Sequence, residues 1–251
     1  MSEKHHADTL RPPKGILFDF GDTILTTLKW DPRAGTERLL RIANNPRGHT
    51  LNDVRAAAEA LSAEVYDCRD ETMIEFSGQA FHRLLFGSLG ITFEVSDDDV
   101  ELEFWKATAE HVPEDGIEDA LRSLGEMGLP LGVVSNTSNR GVIISRELEL
   151  NGLLSYFEFV MSSTDYGLRK PHPVLMRTAA ARLGLEPADV WYVGNLPQHD
   201  VAAARNAGMG AIWYNAKGAA DPEPRPHAEI RHWREFPELV RRCADQQRAV
   251  E

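Results

Sequence analysis

The sequence predicts an α/β fold, a doubly wound, mostly parallel sheet into which a helical domain is inserted. Three observations carry this. Short β-rich apolar runs recur along the chain and are continuous rather than alternating, as in strands covered on both faces. Helical patterns separate them, and strand–helix alternation implies parallel strands joined by right-handed crossovers. From Leu28 to about Val112 the alternation stops, and only helical patterns occur.

In chain order, MSEKHHADTLRPPKG is polar, lacks a signal-peptide core, and predicts a mobile tail over residues 1–11 that includes His5 and His6. GILFDF (15–20) is the first strand. TERLLRIA, LNDVRAAAEALSAEVYD, SGQAFHRLLFGSLG and SDDDVELEFWKATAEHV then fill residues 29–112. A structureless loop of that length does not fit a compact chain, so the segment is an inserted helical domain. Ser77 is expected to cap its helix, with Phe81, Leu84, Leu85 and Leu89 forming an apolar stripe. Ser96 followed by Asp97, Asp98 and Asp99 predicts a capped helix start, with acids on the positive dipole end rather than a metal cluster.

The sheet resumes with PLGVVS (130–135), FEFVMS (157–162), VWYVGN (190–195) and AIWYN (211–215). Helical patterns occupy 115–128, 139–150, 172–184 and 200–208, and AEIRHW followed by PELVRRCADQQ is the last strand–helix unit. The core is therefore expected over 12–28 and 113–251, and the insertion over 29–112.

At roughly 150 residues per domain, 251 residues make one large domain or two modest ones. A net charge of −12, from 27 basic and 39 acidic residues, argues against nucleic-acid and anionic-membrane partners, which call for a basic footprint. Cys68 and Cys243 have no CxxC partner and are expected as free thiols of a reducing compartment. No apolar run approaches about 18 residues. The expectation is a cytoplasmic protein, monomer or homodimer, whose partner is a small molecule.

In open parallel sheets ligands bind outside the carboxyl ends of the strands. Asp19 ends the first run, Ser135 and Asn136 the second, and Gly194 and Asn195 the fourth, while Lys170 follows the third in GLRKPHP. With Asp200 nearby, these place a carboxylate, a hydroxyl, an ammonium and a carboxamide on one crevice. A carboxylate can attack phosphorus and split a hard hydrolysis into two easier steps. Two anions then meet, so a cation and a fixed ammonium must offset their repulsion.

On these residues the sequence resembles the haloacid-dehalogenase-like (HAD) hydrolase superfamily, in its branch with a helical cap after the first strand. ILFDFGDTIL resembles the first family motif, VVSNTS the second, RKP the third and VGNLPQHDVAAARNAGM the fourth, and FPELV near the end is also similar. The resemblance implies a Rossmann-like core, a cap over residues 29–112, and magnesium-dependent hydrolysis of a small organic phosphate monoester through an aspartyl-phosphate. Asp19 would be the nucleophile. Magnesium would sit on the Asp19 carboxylate, the Gly21 carbonyl and Asn195, with Asp200 supporting it. Ser135, the Asn136 backbone N–H and Lys170 would hold the phosphoryl oxygens.

Two positions depart from the family pattern. Phosphatases of the family usually carry an aspartate acid two residues after the nucleophile; here that position is Gly21, with Asp22 one further as the candidate acid or loop-shaping residue. Asn195 stands where the family usually has a metal-binding aspartate. The alternatives are a dehalogenase- or phosphonatase-type hydrolase and a degenerate scaffold that binds an anion or a partner protein. Among cap side chains, Arg33, Arg38, Arg69, His82 and Arg83 are the candidates for selecting substrate. His172 is expected to cap the following helix, His199 to be an exposed turn residue, and the five tryptophans to serve packing.

Overall fold

The chain, described by a computed structural model over residues 10–220 and 222–249, opens with β1 (Gly15–Phe18) and β2 (Leu25–Trp30). The insertion follows with α1 (Pro32–Ile42), β3 (Ala43–Asn44), α2 (Leu51–Val65), α3 (Arg69–Thr72), α4 (Gly78–Leu89), β4 (Thr92–Phe93), α5 (Asp97–Thr108) and β5 (Ala109–Pro113). The remainder runs α6 (Ile117–Glu126), β6 (Leu131–Ser135), α7 (Gly141–Leu150), β7 (Phe159–Ser162), α8 (Ser163–Tyr166), α9 (Pro173–Arg182) and β8 (Val190–Gly194). It ends with α10 (Ala202–Ala207), β9 (Gly210–Tyr214), β10 (Ala228–Ile230) and α11 (Glu235–Arg248). Of the expected tail, residues 1–9, with His5 and His6, lie outside the described residues. Leu10 and Arg11 are held instead: Leu10 packs on the core, and the Arg11 carbonyl accepts from Trp191 Nε1 at 2.7 Å.

Six strands form one sheet in the order β10-β9-β8-β1-β6-β7, with every pairing parallel. The continuous apolar runs have a plain cause. Ile16, Phe18, Val133, Trp191 and Val193 face α6, α7 and α11, while Leu17, Val134, Tyr192 and Ala211 face α9 and α10. Both faces are covered, and each fully buried large side chain contributes about 1.5–3 kcal/mol. The chain leaves β1 toward β6 and β7, then crosses back to β8 on the other side. That reversal opens a crevice at the strand ends beside β1.

The insertion has its own apolar cluster of Leu39, Val54, Leu85, Phe86, Ile91 and Val100. Ser77 caps α4, its Oγ accepting from Ala80 N at 3.4 Å. The expected stripe needs a correction: Leu84 is exposed, and Phe86 is buried in its place. Ser96 and Asp99 form a reciprocal capping box on α5, Asp98 accepts from Arg140 and Gln79, and Asp97 pairs with Arg83.

The expectation of no strand between Leu28 and Val112 is also corrected. β2 and β5 pair antiparallel, from Leu25 opposite Pro113 to Trp30 opposite Ala109, so the chain enters and leaves the insertion through one ribbon. The pattern could not be read because most of both strands is exposed, leaving no apolar alternation to see. A second tie lies deeper. Ile74 bridges Leu168, Arg169 N donates to Met73 O at 3.0 Å, and the Arg169 guanidinium meets Glu75 at 2.9 Å and Asp70 at 3.0 Å. The insertion is thus fastened to the loop that carries Lys170.

Candidate active site

Asp19 follows β1, and its backbone N–H donates to Val193 O at 2.9 Å, which pins it between β1 and β8. Thr23 Oγ1 donates to Asp19 Oδ2 at 3.3 Å, and the Thr23 carbonyl accepts from Trp233 Nε1 at 3.0 Å. Trp233, just before the FPELV segment, therefore supports the loop after Asp19.

Lys170 comes from the turn before α9 and is only 1% exposed. Its ammonium donates to Asp19 Oδ1 at 2.6 Å, Asp200 Oδ1 at 2.7 Å and Tyr192 Oη at 2.6 Å, with Val134 O a fourth neighbour at 3.3 Å. Three donors thus find three close acceptors, which is the condition for burying an ammonium at all. Tyr192 passes its own proton to Val134 O at 2.9 Å. Burial lowers the tendency of Lys170 to stay charged, but Asp19 and Asp200 outweigh it and hold its pKa above the ordinary value. Burial, then the same two carboxylates, keep the Tyr192 phenol neutral far above its usual range. Burial likewise pushes the Asp19 carboxyl up to about 6, against the pull of Lys170.

Asp200 has both oxygens engaged, Oδ1 by Lys170 and Oδ2 by Leu196 N at 2.8 Å. Gly194 makes this approach possible, because a Cβ there would stand 2.4 Å from Asp200 Cγ. Asn136 bonds the Lys170 backbone twice: its Oδ1 accepts from Lys170 N at 2.7 Å, and its Nδ2 donates to Lys170 O at 2.9 Å. Ser135 is buried at the end of β6 on the same cleft. Asn195 Oδ1 is buried and accepts no hydrogen bond.

Asp22 is the non-glycine residue of this loop with a left-handed backbone, φ 52°. Its Oδ1 accepts from Thr27 N at 3.4 Å, and Lys217 Nζ stands 3.6 Å from its Oδ2. At Gly21 the backbone is not left-handed, and an added Cβ would meet nothing within 4 Å.

Asp19, Gly21, Asp22, Ser135, Asn136, Lys170, Asn195 and Asp200 line one cleft of about 610 Å³, bounded on the insertion side by Trp30, Arg69, Asp70, Trp105 and His111. Of the candidate selecting residues, Arg69 alone reaches this cleft. Arg38 pairs with Glu103 at 2.6 Å, Arg83 pairs with Asp97, and Arg33 and His82 line a separate pocket. His172 caps α9 as expected, its Nδ1 accepting from Val174 N. His199 does not match its expected exposed position, since it lines the cleft with Nδ1 buried and unpartnered.

Sequence reasoning missed several participants. Tyr192 lay hidden in an apolar strand run and Arg169 beside the lysine of a motif. Trp30 and Trp105 carry no signal that separates cleft-facing from packing tryptophans. His111 and Glu147 belong to different elements, so nothing in the linear order pairs them.

Comparison with known proteins matches this architecture. Glyceraldehyde 3-phosphate phosphatase of Methanopyrus kandleri is 29% identical over 252 aligned residues, covering 92% of this chain and 98% of its own. Phosphoserine phosphatase of Thermus thermophilus is 38% identical over 85 residues, 34% of either chain. Two solved structures share the fold: a 2-haloacid dehalogenase from Pseudomonas syringae pv. tomato (TM-score 0.65, 24% identity, 92% of this chain and 99% of that one) and a HAD phosphatase from Thermococcus onnurineus (TM-score 0.61, 23% identity, 90% and 97%). Among the described residues no helix is long and apolar enough to cross a membrane. The profile of the haloacid dehalogenase-like hydrolases matches residues 51–214, and the chain belongs to that family of hydrolytic enzymes.

Proposed function

We propose that the protein is a magnesium-dependent phosphatase that hydrolyses a small organic phosphate monoester through an aspartyl-phosphate on Asp19. The observation that carries this reading is the buried Asp19–Lys170–Asp200 array. It is a carboxylate held at a strand end with a fixed ammonium at 2.6 Å, on a cleft sized for a small metabolite. The relatives named as phosphatases point the same way.

In the first step an Asp19 oxygen attacks phosphorus, and the bond to the leaving oxygen breaks. In the second, water attacks the same phosphorus, the bond to Asp19 breaks, and the carboxylate is restored. Lys170 stays charged throughout, and Ser135 and the Asn136 N–H face the phosphoryl oxygens. Asp200 holds Lys170 and the Leu196 backbone in place. Asp22, turned toward Thr27 and Lys217, shapes the loop.

The residues fit a magnesium ion. Asn195 Oδ1 is a buried oxygen without a donor, and with the Asp19 carboxylate and the Gly21 carbonyl it makes an all-oxygen set on the cleft. When bound, the ion supplies positive charge that offsets the repulsion between nucleophile and phosphate. Asp200, which holds Lys170 and the Leu196 backbone, supports this set. The division into a core (12–28 and 113–251) and a cap (29–112) is part of this proposal, supported by the separate apolar cluster of the insertion and the β2–β5 ribbon through which the chain enters and leaves it.

The test is phosphate release from a panel of small phosphate esters, with and without magnesium and in Asp19→Asn. Release that needs magnesium and is lost in the variant is expected. Chelator-resistant halide release from a 2-haloacid would replace this reading with the dehalogenase one, and saturable phosphate binding without turnover would favour the scaffold.

A further inference from the structure

An alkoxide leaves phosphorus only if it receives a proton, so the cleft must contain a group able to give one. The titratable side chains there are largely committed. Asp19 is the attacking group of the proposed reaction, Lys170 and Asp200 bond each other, and Asp70 pairs with Arg169. Asp22 faces Thr27 N and Lys217. His199 Nδ1 has neither a hydrogen-bond nor an ion-pair partner among the described residues.

His111 differs from all of these. It lies on β5, the returning strand of the ribbon, opposite Thr27, which also lines the cleft. Its side chain is 3% exposed and its Nδ1 lies 3.3 Å from Glu147 Oε2, an ion-pair contact without hydrogen-bond alignment. The ring stacks on Trp105 at 5.3 Å with an interplanar angle of 12°, and its other side meets Phe20, the neighbour of Asp19, at 5.8 Å. Trp105 Nε1 donates to the second Glu147 oxygen at 2.8 Å, so one carboxylate lies against both rings. Burial opposes the charge on Glu147, but the His111 contact and the Trp105 bond outweigh it and leave its pKa below the ordinary value. An imidazole with a carboxylate beside one nitrogen has the other available for proton transfer.

We propose that His111, positioned by Glu147, is the general acid and base of the phosphatase reaction. This inference rests on the phosphatase reading and deepens it. As Asp19 attacks and the ester P–O bond breaks, the His111 Nε2 proton passes to the leaving oxygen, releasing a neutral alcohol. Neutral His111 then takes a proton from the water that attacks the aspartyl-phosphate. The P–O bond to Asp19 breaks, phosphate departs, and both groups return to their starting state. Since β5 also carries the chain back from the insertion, the proton donor sits on the part of the fold that would move with a closing cap.

The experiment compares kcat/KM for p-nitrophenyl, phenyl and benzyl phosphate, whose rings are alike but whose leaving groups range from a stable phenolate to an alkoxide. His111→Gln should lower benzyl phosphate hydrolysis by about 10²-fold or more and p-nitrophenyl phosphate hydrolysis by less than about tenfold. Glu147→Gln should show the same bias, more weakly. Added imidazole should restore benzyl phosphate hydrolysis in His111→Gln. Gly21→Asp in the His111→Gln background should raise it too, because the loop has space for that side chain. Equal losses on all three esters, with no rescue by imidazole, would overturn the assignment and leave His111 a packing residue. If Asp19→Asn retains hydrolysis of all three, the aspartyl-phosphate reading itself falls, and the role of His111 in it.

Discussion

The core and the insertion bury ionisable side chains in opposite ways. At the strand ends Lys170, Asp19 and Asp200 are enclosed together, and each answers another at 2.6–2.7 Å. In the insertion His82 stands alone among the rings of Phe81, Phe86 and Phe104, with Nδ1 buried and unpartnered. Burial lowers its pKa to about 4, so it folds as a neutral group. The first arrangement keeps charge in place for chemistry, at the cost of making its members interdependent. The second sacrifices the charge and treats the imidazole as one more ring of an apolar cluster. The core site is therefore vulnerable to loss of a partner, and the insertion to acid.

The largest expected effect tests the core half. Lys170→Met leaves Asp19 and Asp200 buried without their shared cation, and breaking such an array costs about 3–5 kcal/mol. Urea denaturation should show that loss together with abolished turnover. A variant as stable as the wild type would mean that the array is not held together by charge.

The insertion half is tested by pH. Unfolded His82 takes up a proton near its ordinary 6.5, whereas the folded group resists down to about 4. Within that window the unfolded state binds more protons, so stability falls as the pH drops from 6.5 toward 4, by up to about 3 kcal/mol from this one group. His82→Phe should flatten that part of the stability–pH curve while leaving the part above pH 6.5 alone. An unchanged acid limb would show that His82 is not the group being protonated.

The smallest effect concerns Asn195. Asn195→Asp adds an anion to the oxygen set beside Asp19 and should tighten magnesium binding about tenfold, roughly 1.4 kcal/mol, by calorimetric titration. Unchanged or weaker binding would remove Asn195 from the set.

The same contrast explains what the sequence made legible. The strand ends could be read because a parallel sheet places Asp19, Ser135 and Asn195 at successive carboxyl ends, and because both-face burial makes the strands apolar throughout. The insertion showed its helices through caps such as Ser77 and Ser96, but not its ribbon, whose exposed strands give no apolar alternation. Nor could its cleft-facing residues be found. Arg69 and Arg83 look alike in sequence, and only the fold places one over the cleft and the other against Asp97. Glu75 and Arg169 meet across the join between the two regions, a contact with no counterpart in sequence order.

The proposed reaction requires that Asp19 become covalently phosphorylated. Acid-quenching the protein within one turnover of p-nitrophenyl phosphate, then mapping peptides by mass spectrometry, tests it most directly. One base-labile phosphoryl group is expected on the peptide that carries Asp19, absent from Asp19→Asn. Turnover without a covalent phosphoryl group, or with the group on another side chain, would contradict it.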